Sequence, residues 1–378
     1  MKVFVRPKRV GYEGFMRLRS CVHLLIALAG ILGVAVPQGH SETSPLKIGA
    51  ILPLTGSSAM FGVTCKAAIE QALSELPVDE RSRVSVVYED DGLVASRSVA
   101  AGQKLLNVDK IDALISWSSS TALSMVALTE RKKIPHLSIA SDPAVAVGRS
   151  YSFTYWALPE DEAKTLYEHL VGQGKRRVAI IAVTHNGLLA VRDAFARLAA
   201  TDNRIEIVSS EEVGSDVQDF RGVLERIRSR GSIDAFIPIF FPGQLGVVVR
   251  QARGGGITAP IFGFETFEDY DEIRASAGLF SGVVYATGAD PAEVFVKKFK
   301  GTNPDANLYS ASNCYDCARL LVKASQVSSD PDAQARFLRS LRSYPTASGS
   351  ISSTGDNRFS LPTVLKTIDA SGEPKPLQ

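Results

Sequence analysis

"IDALISWSSSTALSMVALTERKKIPHLSIASDP", residues 111–143, decides the fold. Its opening, "IDALIS", has the near-continuous hydrophobicity of a strand buried on both faces. The run breaks at Trp117 into a series of hydroxyl side chains, and over 119–132 apolar residues recur at helical spacing. A second apolar run, "IPHLSI", follows and ends in "ASDP". Strand, helix, strand in this order is the unit of a parallel sheet, and its crossover is right-handed.

The same theme repeats outward in both directions. The strand candidates are "LKIGAILP", "RVSVVYED", "IDALIS", "IPHLSI", "RVAIIAV", "RIEIVS", "IDAFIPI", "APIFGF" and "SGVVYA". Between them, residues 62–75, 94–106, 119–132, 160–173, 187–199, 217–229 and 242–253 carry helical periodicity. Alternation of this kind predicts a doubly wound α/β architecture. A chain of 378 residues exceeds one ordinary core, so two domains are expected.

Ligands of such sheets bind beyond the carboxyl ends of the strands, where loops enter helix N-termini. "SWSSST" occupies that place after "IDALIS", and "ASDP" occupies it after "IPHLSI". Hydroxyls and free backbone N–H groups at a helix start favour an anion, although capping alone accounts for one or two of the hydroxyls. Ser141 is a natural donor to a carboxylate, and Asp142 is either part of the site or the cap of a turn before Pro143.

The first forty residues read differently. Arg17 and Arg19 precede "CVHLLIALAGILGVAVP", an apolar run of about 17 residues, with Gly33 and Ala35 at an A-x-A-like spacing. This is read as a cleaved secretory signal over 1–40 rather than an uncleaved anchor, with Met16 as an alternative start. Cys21 precedes the apolar run and so is misplaced for a lipidated first residue. Beyond residue 40, 36 basic residues face 39 acidic ones, a formal charge of −3 that offers nothing to nucleic acid.

At this level the sequence resembles the periplasmic solute-binding proteins of ABC transporters, in the group that binds branched-chain amino acids. "LKIGAILPLTGSSAMFG" looks like the family's first strand and pocket loop, and "VVYEDDGLVASRSVAAGQKLL" like its second strand and helix. The 111–143 stretch resembles the core signature with both serine loops. "FIPIFFPGQLGVVVRQARGGGITAPIFG" and "CYDCARLLVKA" resemble a strand–helix–strand unit of the second lobe and a late helix. The order and spacing of these segments carry the resemblance, since each alone is weak.

The resemblance implies the type I periplasmic-binding fold: two Rossmann-like α/β lobes joined by three crossover strands, closing by a hinge on a solute. Lobe one is expected at 46–157 plus 286–347, and lobe two at 158–285 plus 348–378. It implies that Ser119, with Ser120 beside it, holds a ligand carboxylate, and that Ala140 and Ser141 serve the ligand's amino and carboxylate groups. Phe61 would be an aromatic pocket residue, Phe241 an aromatic closing residue from lobe two, and Glu265 the partner of a ligand ammonium. Hydroxyls and N–H groups would thus neutralise a carboxylate without a buried cation, each charge-assisted bond contributing roughly 1.5–3 kcal/mol.

Three departures bear on the ligand. The family's lobe-two tyrosine is missing, and "THNGLLAV" offers His185 or Asn186 instead; Tyr155 and Trp156 stand where many relatives carry arginine; and Trp117, Phe240, Phe264 and Phe267 add aromatic surface near the expected ligand cleft, about half of it expected to be core. A bulky or aromatic acid is therefore the alternative to an amino acid. The cysteines stay open at this point: Cys65 pairs with Cys314 or Cys317 and leaves one thiol, or all three are free and buried.

The chain has no G-x-S-x-G elbow, no H-E-x-x-H, no Walker loop and no G-x-G-x-x-G after its first strand. The expectation is a monomeric periplasmic binding protein, without enzymatic activity, cofactor or metal, that delivers solute to an inner-membrane ABC permease. A receptor that reports ligand occupancy to a signalling partner is the runner-up. A serine hydrolase would need a base beside Ser119 or Ser120, and the sequence shows none.

Overall fold

The computed structural model describes residues 45–276 and 278–377, with Val3 alone before them. The expected leader over 1–40 therefore lies outside the described residues apart from Val3. Among the described residues no helix is long and apolar enough to cross a membrane.

The β-branched runs of the first third form a parallel sheet in the order Val84–Asp90, Leu46–Leu52, Ala113–Trp117, His136–Ile139, Ser152–Thr154. Alternation along the strand sends Ile48, Ala50 and Leu52 into one core with Ile115, Leu137 and Phe153. Ile51 and Leu114 point the other way, against Leu105, Leu106 and Met125. Helices thus cover both faces, as a sheet of continuous apolar strands requires. A bridge from Thr154 to Arg358 carries the sheet on to the short antiparallel strands Phe359–Ser360, Gly349–Ser353 and Tyr344–Thr346.

The second sheet begins with Glu206–Val213, Arg177–Val183 and Ala235–Ile239, again parallel. The bridge Phe236–Ile261 links it to Phe262–Gly263 and Val284–Gly288, and Thr363–Ile368 then pairs antiparallel with the latter. Strand Thr363–Ile368 escapes the sequence reading because "TVLKTI" mixes polar residues with apolar ones, half-buried between Val284–Gly288 and Pro374–Pro376. Tyr167, Ile180, Phe195, Phe236 and Tyr285 are among the residues of the second core. Phe240, Phe264 and Phe267 belong there too, all but fully buried, so the expectation that these three rings add surface to the cleft is corrected.

The chain passes between the two cores three times. Tyr155 packs in the first and Ala163 in the second; Ala286 packs in the second and Phe295 in the first; Leu361 packs in the first and Ile368 in the second. Ile351, Phe359 and Leu361 lie in the first core, so the expected boundary at 347/348 moves to residues 361–363, and the one at 285/286 moves past Ala286. The later shift has a plain cause: hydrophobic burial, which fixes where a segment belongs, is carried over 348–361 by isolated apolar residues in polar company. Of the cysteine alternatives, the structure has a Cys65–Cys314 disulfide joining helices Ala59–Ser74 and Ala311–Val327, with Cys317 free and buried.

Candidate functional site

The hydroxyl run at the end of strand Ala113–Trp117 divides its labour. Ser116 hydrogen-bonds His136 at 2.8 Å in the interior, and Thr121 donates to the fully buried Asp91 at 2.6 Å. These two hydroxyls face away from the crevice, contrary to a reading in which the whole run lines it. Ser118 caps helix Ser119–Lys132, accepting from the Ser120 N–H at 3.2 Å with φ at 89°. Ser119 Oγ accepts from the N–H groups of Ser141 and Asp142 at 3.2 and 3.1 Å. It braces the two serine loops against each other while its own proton stays available to donate. Asp142 caps the turn at Pro143, taking the Ala144 N–H at 2.8 Å.

The second core supplies the opposite wall from the N-terminus of helix Asn186–Asp202 and from the loops at Phe241 and Glu265. His185 Nε2 lies 3.0 Å from Ser120 Oγ and 3.5 Å from Ser118 Oγ, and its ring meets Phe241 edge-on at 4.7 Å. Burial lowers the His185 pKa to about 4, so the ring is neutral at ordinary pH. Ser141 Oγ donates to the Gly187 carbonyl at 3.2 Å. A Cβ on Gly187 would sit 2.7 Å from Ser141 Oγ and 2.9 Å from Ser119 Oγ, so any side chain there would force these hydroxyls to shift. The walls are in direct contact, the closed arrangement of a cleft.

Of the residues singled out in the sequence, Trp117, Ser119, Ala140, Ser141, Phe241 and Glu265 line one cavity, with Ser118, Trp156, His185 and Tyr309. Ser120 stands at its edge through its bond to His185. Phe61 lines an outer groove instead and backs the cavity by stacking on Trp117, with centroids 5.1 Å apart and planes 9° from parallel. Trp117 is further fixed by its indole N–H, which donates to Ser310 at 2.9 Å. Tyr155 is core, its hydroxyl donating to Asp316 at 2.9 Å. A second cavity, bounded by all three passages between the cores, shares Trp156, Glu265 and Tyr309 with the first.

Glu265 is 6% exposed and its Oε2 has no hydrogen-bond partner, which excludes the solvated loop acid that its neighbours Glu268 and Asp269 suggest. Burial raises its pKa. Two residues of this region went unread in the sequence. Tyr309 offers no local signal. Glu162 does, since an acid stands on the apolar stripe of helix Pro159–Gly172 one turn before Leu166 and two before Leu170. Among the described residues no group of three or more His, Cys, Asp or Glu is arranged to hold a metal ion.

With donors on one wall, a buried carboxyl with one unpartnered oxygen on the other and, among the described residues, no metal grouping, the arrangement suits capture of a solute. Residues 45–373 match the periplasmic binding protein family. The chain belongs to this family. Leu/Ile/Val-binding protein homolog 3 of Brucella melitensis is 22% identical over 88% of the chain and 92% of its own length. A leucine-binding protein from Thermotoga maritima superposes with a TM-score of 0.79 at 22% identity, covering 88% of this chain and 98% of that one. So does a solute-binding protein of an ABC transporter from Rhodopseudomonas palustris in complex with 4-hydroxybenzoate, with a TM-score of 0.79 at 17% identity over 88% and 96%. This periplasmic binding protein thus has the type I fold that both structures share.

Proposed function

We propose that this periplasmic binding protein is exported, that it captures a small carboxylate-bearing solute between its two walls, and that it hands the solute to an inner-membrane ABC permease. An amino acid is the ligand class. The observation that carries the reading is the meeting of Ser119, Ala140, Ser141 and Glu265 on one cavity, donors on one side and an orphaned buried carboxyl oxygen on the other. A carboxylate takes the free proton of Ser119 at the start of helix Ser119–Lys132, and an ammonium satisfies Glu265. Two lobes, each built on one of the cores, carry the walls, and closure completes the site from both. His185, reaching Ser120 across the cleft, takes the place of the missing tyrosine as a latch. The names of the relatives, a Leu/Ile/Val-binding protein and a leucine-binding protein among them, support the class.

An aromatic acid is the second reading, favoured by Trp117, Trp156, Phe241 and Tyr309 on the cavity and by a structural relative that holds 4-hydroxybenzoate. A thermal-shift screen of the protein against amino acids, aromatic acids and short aliphatic acids separates the two. A ligand at a hundredfold excess over Kd raises stability by about 2.7 kcal/mol. Stabilisation by amino acids, lost on Glu265→Gln, is the expected result. Stabilisation by acids without an amino group, unchanged in Glu265→Gln, moves Glu265 out of ligand recognition and selects the aromatic reading.

A further inference from the structure

Glu162 lies in the first turn of helix Pro159–Gly172, is 1% exposed, and has no hydrogen-bond partner on either oxygen. Its carboxyl lies against that of Glu265, whose Oε2 is likewise unpartnered. Glu162 lines neither cavity, whereas Glu265 lines both. Among the described residues, the groups that act most strongly on the pair bring no cation. Asp161 on the same helix and Glu268 beyond Glu265 are acids, while Trp156 and Tyr309 are neutral rings. Lys366, the lysine on the hinge cavity, is committed to Glu268 and Asp290. His185, across the first cavity, stays neutral above about pH 5 because burial holds it near 4.

Two adjoining buried carboxyls without a cation do not both ionise; they retain a proton between them. Burial, the largest cause for both, pushes Glu162 well above the usual carboxylate range and raises Glu265; Glu265 adds to the shift of Glu162. An ammonium arriving at Glu265 has to compete with that proton.

We propose that Glu162 is a positioning residue of the cleft, which shares a proton with Glu265 and thereby makes capture of an ammonium-bearing solute proton-linked. This rests on the reading of Glu265 as the ammonium partner. The ammonium replaces the proton as the counter-charge of Glu265, and the proton leaves to solvent. Capture is then favoured at higher pH, and acids without an amino group bind without this dependence. In Glu162→Gln the amide donates a hydrogen bond to Glu265, which stays ionised and needs no proton to leave. In Glu162→Met that bond is absent and Glu265 faces an apolar neighbour.

The test is calorimetric titration with matched probes, L-leucine against 4-methylpentanoate and L-phenylalanine against 3-phenylpropanoate. Each is run at about pH 5.5 and about pH 8, in buffers of differing ionisation enthalpy, so that proton release is read directly. The expected result is that the wild type binds an amino-bearing probe with proton release, more weakly at the lower pH by up to about tenfold per pH unit. Glu162→Gln binds it with little release and a flat pH profile, and Glu162→Met binds it more weakly at both values. Circular dichroism of the unliganded variants confirms that they fold, and the des-amino probes give a second readout of the intact serine wall. The same release and the same slope in Glu162→Gln overturn the proposal, as does wild-type binding without release. Binding of the des-amino probes alone overturns it together with the amino-acid reading while the carboxylate site survives, and binding of no probe overturns it with the carboxylate site left to the wider screen.

Discussion

The two walls of the cleft are built on opposite physical plans. The wall from the first sheet is neutral and internally satisfied: Ser119 braces two loops, Ser118 caps the helix, and Asp142 caps the next turn. Its layer is also tied by the Cys65–Cys314 bond, which joins residues 249 apart in sequence. The wall from the second sheet carries the titratable groups, and those groups are short of partners: His185 Nδ1, Glu265 Oε2 and both oxygens of Glu162 make no hydrogen bond. A wall of satisfied donors holds its shape before the solute arrives. A wall of unsatisfied groups gains most when solute comes, so the difference divides preorganisation from response.

Removing the staple is expected to have the largest effect. Cys65→Ala with Cys314→Ala should lower unfolding free energy by about 3–5 kcal/mol in denaturant titration, because the bond closes a very long loop in the unfolded chain. A loss under about 1 kcal/mol would mean that the first layer is held by packing alone and that the contrast between the walls is weaker than drawn.

Ser119→Ala should come next. It strips the acceptor from two backbone N–H groups and a donor from the carboxylate, so stability should fall by about 1–3 kcal/mol and affinity for any carboxylate ligand by roughly tenfold or more. Unchanged affinity would place the carboxylate elsewhere. Gly187→Ala acts on the meeting of the walls rather than on either one. Its Cβ would crowd both serine hydroxyls, so closure and affinity should suffer while the melting temperature of the unliganded protein moves by only a few degrees. A crystal structure of that variant closed on its solute would show that the contact yields.

The smallest effect is in the pH profile of stability, and there the buried histidines and Glu265 oppose each other in sign. Burial lowers His185 to about 4 and the fully buried His136 to about 3, both from 6.5. The unfolded chain therefore takes up protons first, and stability present above about pH 6.5 is lost as pH falls toward these values. Glu265 is raised from 4.5, so its contribution runs the other way: stability is lost as pH rises from 4.5 through its folded value. Glu265→Gln should gain on the order of 1 kcal/mol over the wild type at pH 8 and nothing near pH 4. An equal effect at both values would mean that the carboxyl is ionised in the fold.

Both serine loops were legible in the sequence because each sits at a strand end that periodicity locates within a residue or two. "IDALIS" and "IPHLSI" gave Ala113–Trp117 and His136–Ile139, and the helix over 119–132 was found to the residue. Membership of a core was less legible where apolar residues come singly. Phe359 stands among "DNRFS" and still packs on Phe153 and Tyr155, which is why the last boundary was drawn too early. Aromatic residues were the hardest, since a ring near a loop has the same pattern whether it points at core or cleft. Phe240 and Phe241 are adjacent, and one is core while the other lines the cavity.

What this sequence determined by itself is local: strands follow from short continuous apolar runs and helices from a periodicity of 3.6, and with them the rule that loops at strand ends face the cleft. The family resemblance added the assignments of Ser119, Ser141 and Glu265. Only the tertiary structure decided which hydroxyls turn inward, as Ser116 and Thr121 do, which cysteines pair, and that Glu162 comes to rest against Glu265. Those outcomes join residues scores to hundreds of positions apart. Burial and exclusion of water set them, and both depend on how whole layers pack, so no window of neighbouring residues contains them.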